Sequence, residues 1–292
     1  MFKRCLICTD FSDGLHRLVE FVPSLATSGI KQIIFLHVVP LWEEGEIPRI
    51  DEEAIAAARK RLEAGFGDVP KDVEVSIEVA SGPPVDVISK AAHNCKADVI
   101  LTGTSTRNLL KETLFGSTTT ALAKACVKPL LILRPELVST YTREELSLRC
   151  QHLWRYLLIP YDGSDSSNYL LQKVKEYAEL KPDKSLLQCM LVWVVEEGGR
   201  REIPKDYQLQ KAKEKLELVK ADLTQPGLQV NTEVRLGDPF TEILDIALVH
   251  DISAIAVSSN TLGKIKEWSA RSFAGELIRR SWFPILFFPL RK

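Results

Sequence analysis

Val79-Ala-Ser-Gly-Pro-Pro-Val85 returns later in the chain as Val234-Arg-Leu-Gly-Asp-Pro-Phe240, with Gly82 matched to Gly237. Two further blocks repeat in the same way. Asp98-Val-Ile-Leu-Thr-Gly-Thr104 matches Ser253-Ala-Ile-Ala-Val-Ser-Ser259, and Lys128-Pro-Leu-Leu-Ile-Leu133 matches Phe283-Pro-Ile-Leu-Phe-Phe288. From Gly82 to Gly237, from Gly103 to Ser258 and from Pro129 to Pro284 the step is 155 residues each time. A step that holds through three separated blocks means duplication, and a period this long makes each repeat a whole domain rather than a turn of a solenoid. The 292 residues suit two such domains, each large enough to bury its own core.

Within each copy, short β-branched runs alternate with helical segments, which predicts a parallel sheet with crossover helices. The strands are expected near 3–9, 32–39, 73–80, 98–103 and 129–134, and again near 155–161, 186–195, 229–235, 253–258 and 284–289. Five strands in each half, all alternating with helices, give an open α/β sandwich. Leu15, Leu18, Val19, Val22 and Leu25 recur at helical spacing behind the cap candidates Ser12 and Asp13, as Leu170, Leu171, Val174, Tyr177 and Ala178 do behind Ser164 and Asp165. Leu209, Ala212, Leu216, Val219 and Leu223 form a similar stripe. It is too short for a coiled coil and reads as a helix lying on the sheet. The domains are expected at 1–136 and 153–292, joined by a linker over 137–152 with room for a short helix of its own.

Composition narrows the function. The chain is 45% hydrophobic and 26% charged with a net charge of −1, so it has no basic field for nucleic-acid backbones. No apolar run approaches the ~20 residues of a spanning helix, which argues against a membrane role. Met1-Phe2-Lys3-Arg4 leads straight into the first strand, without the apolar stretch of a signal peptide, and the expected compartment is the cytoplasm. Six cysteines do not repeat between the halves and are too few for a disulfide scaffold. Cys5 and Cys8 form a CxxC on a strand, where residues three apart face opposite ways. They read as small buried hydrophobes, not as a redox pair.

In open parallel sheets, ligands bind beyond the carboxyl ends of the strands, where strand order reverses. Two loops of the first half have the composition for that. Thr9-Asp10-Phe11-Ser12 puts a carboxylate at the tip of the first strand. After the fourth strand, Gly103-Thr-Ser-Thr-Arg107 runs on through Lys111 to Gly116-Ser117-Thr118-Thr119-Thr120 and into a helix. A glycine that permits close approach, followed by free N–H groups and hydroxyls at a helix start, is a way to hold a phosphate without a Walker lysine. Arg107 and Lys111 could fold over such a phosphate, or remain solvated surface charges. His37 has Trp193 as its counterpart and no metal-ligand spacing around it, so it reads as a packed core-edge histidine. Asp10 lacks a partnered nucleophile and reads as a positioning group rather than a general base.

The strand-tip aspartate, the Leu36-His37-Val38-Val39 ending of the second strand, and a loop close to Gly-x2-Gly-x9-Gly-Ser together resemble the universal stress protein family, here in tandem form. The resemblance covers nearly the whole chain except the linker. It implies a five-stranded sheet of order 3-2-1-4-5 in each domain and an adenine nucleotide as ligand: ATP, ADP or AMP, with magnesium as the companion of a triphosphate, and with cyclic di-AMP left open. Carried over by position, it implies that Thr9 and Asp10 face the base and that Val38 lines the adenine pocket. It further implies that Gly103 approaches the ribose and phosphates and that Gly116, Ser117 and Thr118 hold the phosphates. Cys8 and Thr106 complete the expected ligand-facing set.

Thr106 is a departure, since it stands at the middle glycine of the motif. The second half departs further. It keeps Asp162 in Pro160-Tyr-Asp-Gly-Ser164, but reads Ser258-Ser-Asn-Thr261 and Arg271-Ser272 where the motif glycines belong. That half is expected to serve structure or recognition. The leading expectation is a stress-response signalling protein that binds its nucleotide in the N-terminal domain, meets a regulatory protein partner and forms homodimers, its relatives commonly pairing fifth strands. The alternatives are a nucleotide-independent scaffold and, at most, a slow ATP hydrolase.

Overall fold

The computed structural model describes residues 1–11, 14–41, 49–104, 117–125, 127–179, 185–196, 204–224, 227–259 and 272–290. They divide into two compact units, Phe2–Gln151 and His152–Lys292, the latter together with Met1.

In the first unit the strands are β1 (Arg4–Thr9), β2 (Gln32–Val39), β3 (Glu74–Ser81), β4 (Val99–Gly103) and β5 (Leu130–Leu133). All neighbours pair in parallel in the order β3-β2-β1-β4-β5. A 3₁₀ helix, Leu15–Phe21, leads into α1 (Val22–Thr27). It is followed by α2 (Glu52–Glu63), α3 (Pro84–Asn94), α4 (Ser117–Ala125), α5 (Pro135–Thr140) and α6 (Arg143–Gln151). The second unit holds β6 (Tyr156–Pro160), α7 (Asp165–Glu179), β7 (Gln188–Val195), α8 (Lys205–Thr224), β8 (Gln229–Leu236), α9 (Pro239–Val249), β9 (Ala254–Ser258), α10 (Phe273–Arg280) and β10 (Ile285–Phe288). Its order, β8-β7-β6-β9-β10, is the same topology. Each expected strand is present within two residues of its expected ends.

The central strands are buried along nearly their whole length: β1 reads intermediate at Arg4 and buried from Cys5 to Thr9. This is the continuous apolar pattern of a parallel sheet covered on both faces. Leu15, Leu18, Val19, Val22 and Leu25 are all buried, but the chain covers them with a 3₁₀ turn and a six-residue α-helix rather than one continuous helix. Gly14 precedes that turn at φ +73°, and Pro23 sits in the first turn of α1, where its missing N–H costs nothing. In the second unit α7 runs unbroken over Asp165–Glu179, with Ser164 Oγ accepting from Ser167 N at 3.3 Å as its cap. The stripe on α8 buries Ala212, Leu216 and Leu223, as a helix lying on the sheet requires.

The segment expected as a linker is helical over α5 and α6 and is anchored on the first unit. The Arg17 guanidinium donates to the carbonyl oxygens of Val138 (2.6 Å), Ser139 (3.2 Å) and Tyr141 (3.2 Å). Ser24 and Ser147 share a hydrogen bond of 2.8 Å, and Leu146 and Cys150 are buried. Gly14 faces α5. A Cβ built there would lie 2.4 Å from Ser139 Oγ, on a backbone that already has positive φ. Gly14→Ala is therefore expected to destabilise the first unit by about 2 kcal/mol, read as a lower urea midpoint at unchanged slope. A midpoint equal to that of the parent chain would show that α5 gives way at no cost.

Candidate functional site

The order β3-β2-β1-β4-β5 makes β1 and β4 neighbours although two other strands separate them in sequence. The chain leaves them in opposite directions, and their carboxyl ends open the crevice where open sheets bind ligands. Parallel pairing runs through Ile7↔Leu101, so Thr9 and Gly103, two residues further along each strand, mark the two lips.

The β1 lip is stiff. His37 on the adjacent β2 is buried, and its Nδ1 lies 2.7 Å from the Thr9 carbonyl oxygen. A carbonyl only accepts, so Nδ1 carries the proton and the tautomer is set. This makes His37 the packed core-edge residue expected. Phe11 follows at φ +66°, with its N–H donating to Thr9 Oγ1 at 3.2 Å. Its ring centre sits 4.4 Å from that of His37, and the Arg61 guanidinium lies over the same Phe11 ring, 4.2 Å from its centre. A bulky residue at positive φ costs energy, which this packing offsets. His16 also reaches the cluster, 5.8 Å from Phe11. Burial first, then the charges of Arg61 and Arg17, hold its pKa below the ordinary imidazole value. Asp10 stands exposed at the tip between these packed groups.

The β4 lip is held by hydroxyls. Thr119, on the first turn of α4, donates from Oγ1 to the Gly103 carbonyl at 2.9 Å and lies 3.3 Å from Thr102 Oγ1. This fastens the amino end of α4, whose first N–H groups have no partner within the helix, beside the end of β4. Thr104 follows Gly103. Its backbone is fixed at both ends: N donates to the Leu133 carbonyl at 3.0 Å, and O accepts from Arg134 Nη1 at 2.9 Å. Its Oγ1 is buried and has no hydrogen-bond partner among the described residues. A buried hydroxyl left unpaired is costly unless something outside these residues satisfies it.

Among the residues expected from sequence, Thr9, Asp10 and Gly103 come together at the crevice. Ser117 and Thr118 open the helix that Thr119 pins to the same strand end. Val38 is half-buried on β2, one residue past the His37 that pairs with Thr9. Cys8 is buried beneath the tip at 7% exposure, and Cys5 is fully buried with its thiol pKa driven far above the ordinary value by burial. Thr106, Arg107, Lys111 and Gly116 lie outside the described residues, as do Ser12, Asp13, Asn260, Thr261 and Arg271. Sequence reading missed Thr104, Thr119 and Arg134. The available signal was a charge directly after the apolar run Leu130–Leu133.

The matching end of the second unit is built differently. Ser258 Oγ donates to the Ser166 carbonyl at 3.0 Å, and Ser259 Oγ, at the position of Thr104, accepts from Leu290 N at 3.3 Å. Phe273 and Ala274 replace Thr118 and Thr119, and Ser272 Oγ is used as a helix cap, accepting from Gly275 N at 3.1 Å. Asp162 accepts from Ser164 N at 2.9 Å within its own turn. The hydroxyls at this end are turned to the protein's own backbone.

Comparison with known proteins agrees with this duplicated architecture. The family model described as the universal stress protein family matches residues 1–134 and again 154–289. A universal stress protein of Methanocaldococcus jannaschii is 25% identical over 158 residues, which is 46% of this chain and 96% of that protein. The stress response protein NhaX of Bacillus subtilis is 32% identical over 83 residues, 28% of this chain and 46% of that one. A solved universal stress protein of Archaeoglobus fulgidus aligns over 98% of both chains at a TM-score of 0.63 and 19% identity, a likeness of fold.

Proposed function

The chain belongs to the universal stress protein family, and from that premise we propose that its N-terminal half binds an adenine nucleotide and signals by occupancy. The observation that carries this reading is the pair of lips at the β1–β4 switch point, with the Thr104 hydroxyl buried and unpaired among the described residues. An orphaned donor beside a helix amino end fits an anionic oxygen, and the second half, where the equivalent Ser259 hydroxyl is engaged, lacks that feature.

In this reading Thr9 and Asp10 orient the base, Val38 packs against it, and Gly103, Ser117 and Thr118 take the ribose and phosphates. The network of Thr102, Thr119 and Arg134 keeps the β4 lip in place without touching the ligand. Occupancy changes the surface at the strand tips, and a regulatory protein that prefers one of the two states reads it. The second half contributes structure and recognition rather than a nucleotide site of this type. In the same reading the protein works in the cytoplasm and forms homodimers.

Calorimetric titration of the nucleotide-stripped chain with ATP, ADP, AMP and cyclic di-AMP, with and without magnesium, tests the reading. One saturable site for at least one of these ligands is expected. Absence of binding by all four would overturn nucleotide sensing and leave a docking scaffold.

A further inference from the structure

The second unit holds a cavity on the sheet face that α8 covers. It lies at the carboxyl end of β7, has a volume of about 380 Å³, and is lined among others by Trp193, Glu196, Tyr207, Gln208, Lys211 and Lys215. That is within the size range of small-molecule sites.

Its shape follows from three paired positions. Trp193 stands where the first unit has His37, Gly163 where it has Phe11, and Lys215 of α8 where it has Arg61 of α2. In the first unit Phe11 fills the space itself, its ring 4.4 Å from His37 with the Arg61 guanidinium 4.2 Å from its centre. In the second unit the same left-handed backbone, φ +76°, belongs to a glycine, and a Cβ there would already stand 3.5 Å from Trp193 and 3.8 Å from Lys215 Nζ. The aromatic and the cation are kept while the ring between them is missing.

The walls are set for a ligand. Tyr161 meets the Trp193 ring edge-on at 5.7 Å and is itself fixed by donating from its hydroxyl to Asn168 Oδ1 at 2.8 Å. Lys215 Nζ lies 5.4 Å from the Trp193 ring and makes no ion pair among the described residues. Lys211, one turn earlier on α8, lies 5.7 Å from the Tyr207 ring and pairs with Glu214. An aromatic floor with two ammonium groups on one helix face recognises a flat ring that carries negative charge.

We propose that the second half carries a ligand site of its own at the end of β7, which takes a planar aromatic anion, its ring seated on Trp193 and its carboxylate or phosphate held by Lys215 and Lys211. The site is separate from the β1–β4 crevice and does not depend on the reading given for it.

The test uses the full chain labelled with 5-fluorotryptophan, in which Trp193→Phe assigns one of the five tryptophan resonances. AMP and anthranilate are the probes, one carrying phosphate and the other carboxylate. A saturable shift of the Trp193 resonance with either probe is expected, weakened about tenfold or more by Lys215→Gln and unchanged by Asp10→Ala. Which probe acts identifies the anionic group. Lys215 is an exposed position on a long helix and glutamine is a good helix former, so the variant folds. A Trp193 resonance unmoved by both probes overturns the proposal. So does a shift that Lys215→Gln leaves intact, which is adsorption to the aromatic face alone, or one that Asp10→Ala abolishes, which belongs to the first half.

Discussion

Asp10→Ala is expected to weaken adenine-nucleotide binding by about 10- to 100-fold, the worth of hydrogen bonds to one charged group, with little effect on stability. The carboxylate is exposed at the tip of β1, while the groups that hold that tip rigid, Thr9, Phe11 and His37, remain. The control is the aspartate at the same place in the other half. Asp162 accepts the Ser164 N–H in a local turn at an end where Ser258, Ser259 and Ser272 bond the protein's own backbone, so Asp162→Ala should cost about 1 kcal/mol of stability in the second unit and leave nucleotide affinity unchanged. Calorimetric titrations of both variants alongside the parent decide the matter. Equal losses, or a loss confined to Asp162→Ala, would remove the nucleotide site from the first half.

Arg134→Ala is expected to destabilise the first unit by about 3 kcal/mol. Its side chain is 4% exposed, and Nη1 donates to the Thr104 carbonyl at 2.9 Å. Truncation leaves that buried carbonyl without this donor and a void where the guanidinium lay. Burial lowers the arginine pKa to about 10, with the nearby Glu136 pulling the other way. A cation whose folded pKa lies below its unfolded one costs stability wherever it is charged in both states, and that cost falls only as pH rises past the folded value. The difference between Arg134→Ala and the parent should therefore be flat over about pH 6 to 9. Urea unfolding across that range measures it. A loss below about 1 kcal/mol would mean that desolvation cancels the hydrogen bond.

The elements legible in the sequence share one property: each is specified by residues close together in the chain. The β-branched runs, the helical stripe Leu170, Leu171, Val174 and Ala178, and the duplicated blocks needed no knowledge of distant partners. The broken helix after β1 was less legible. Its apolar spacing suits a 3₁₀ turn followed by a short α-helix as well as it suits one continuous helix, and the left-handed Gly14 wedged against Ser139 accompanies the shorter form.

The linker was read as a connection because it has no counterpart inside either repeat. What anchors the segment is Arg17, which binds three carbonyls more than 120 residues away. Carbonyls are present at every residue and leave no mark in a sequence. At the candidate site, Asp10 and Gly103 were visible through their residue types. Thr104, Thr119 and Arg134 were not, because their role is to be paired or left unpaired in a folded interior.

By itself, then, the sequence determined the duplication, the parallel α/β class and the family, because these rest on local periodicity and on a register repeated at constant distance. Tertiary structure alone decided which hydroxyls are spent on the protein's own backbone and which are not, and that a ring fills the space above His37 while a glycine leaves the space above Trp193 open. Those outcomes depend on hydrogen-bond satisfaction and volume at points where distant segments meet, and these are fixed only when the chain has folded.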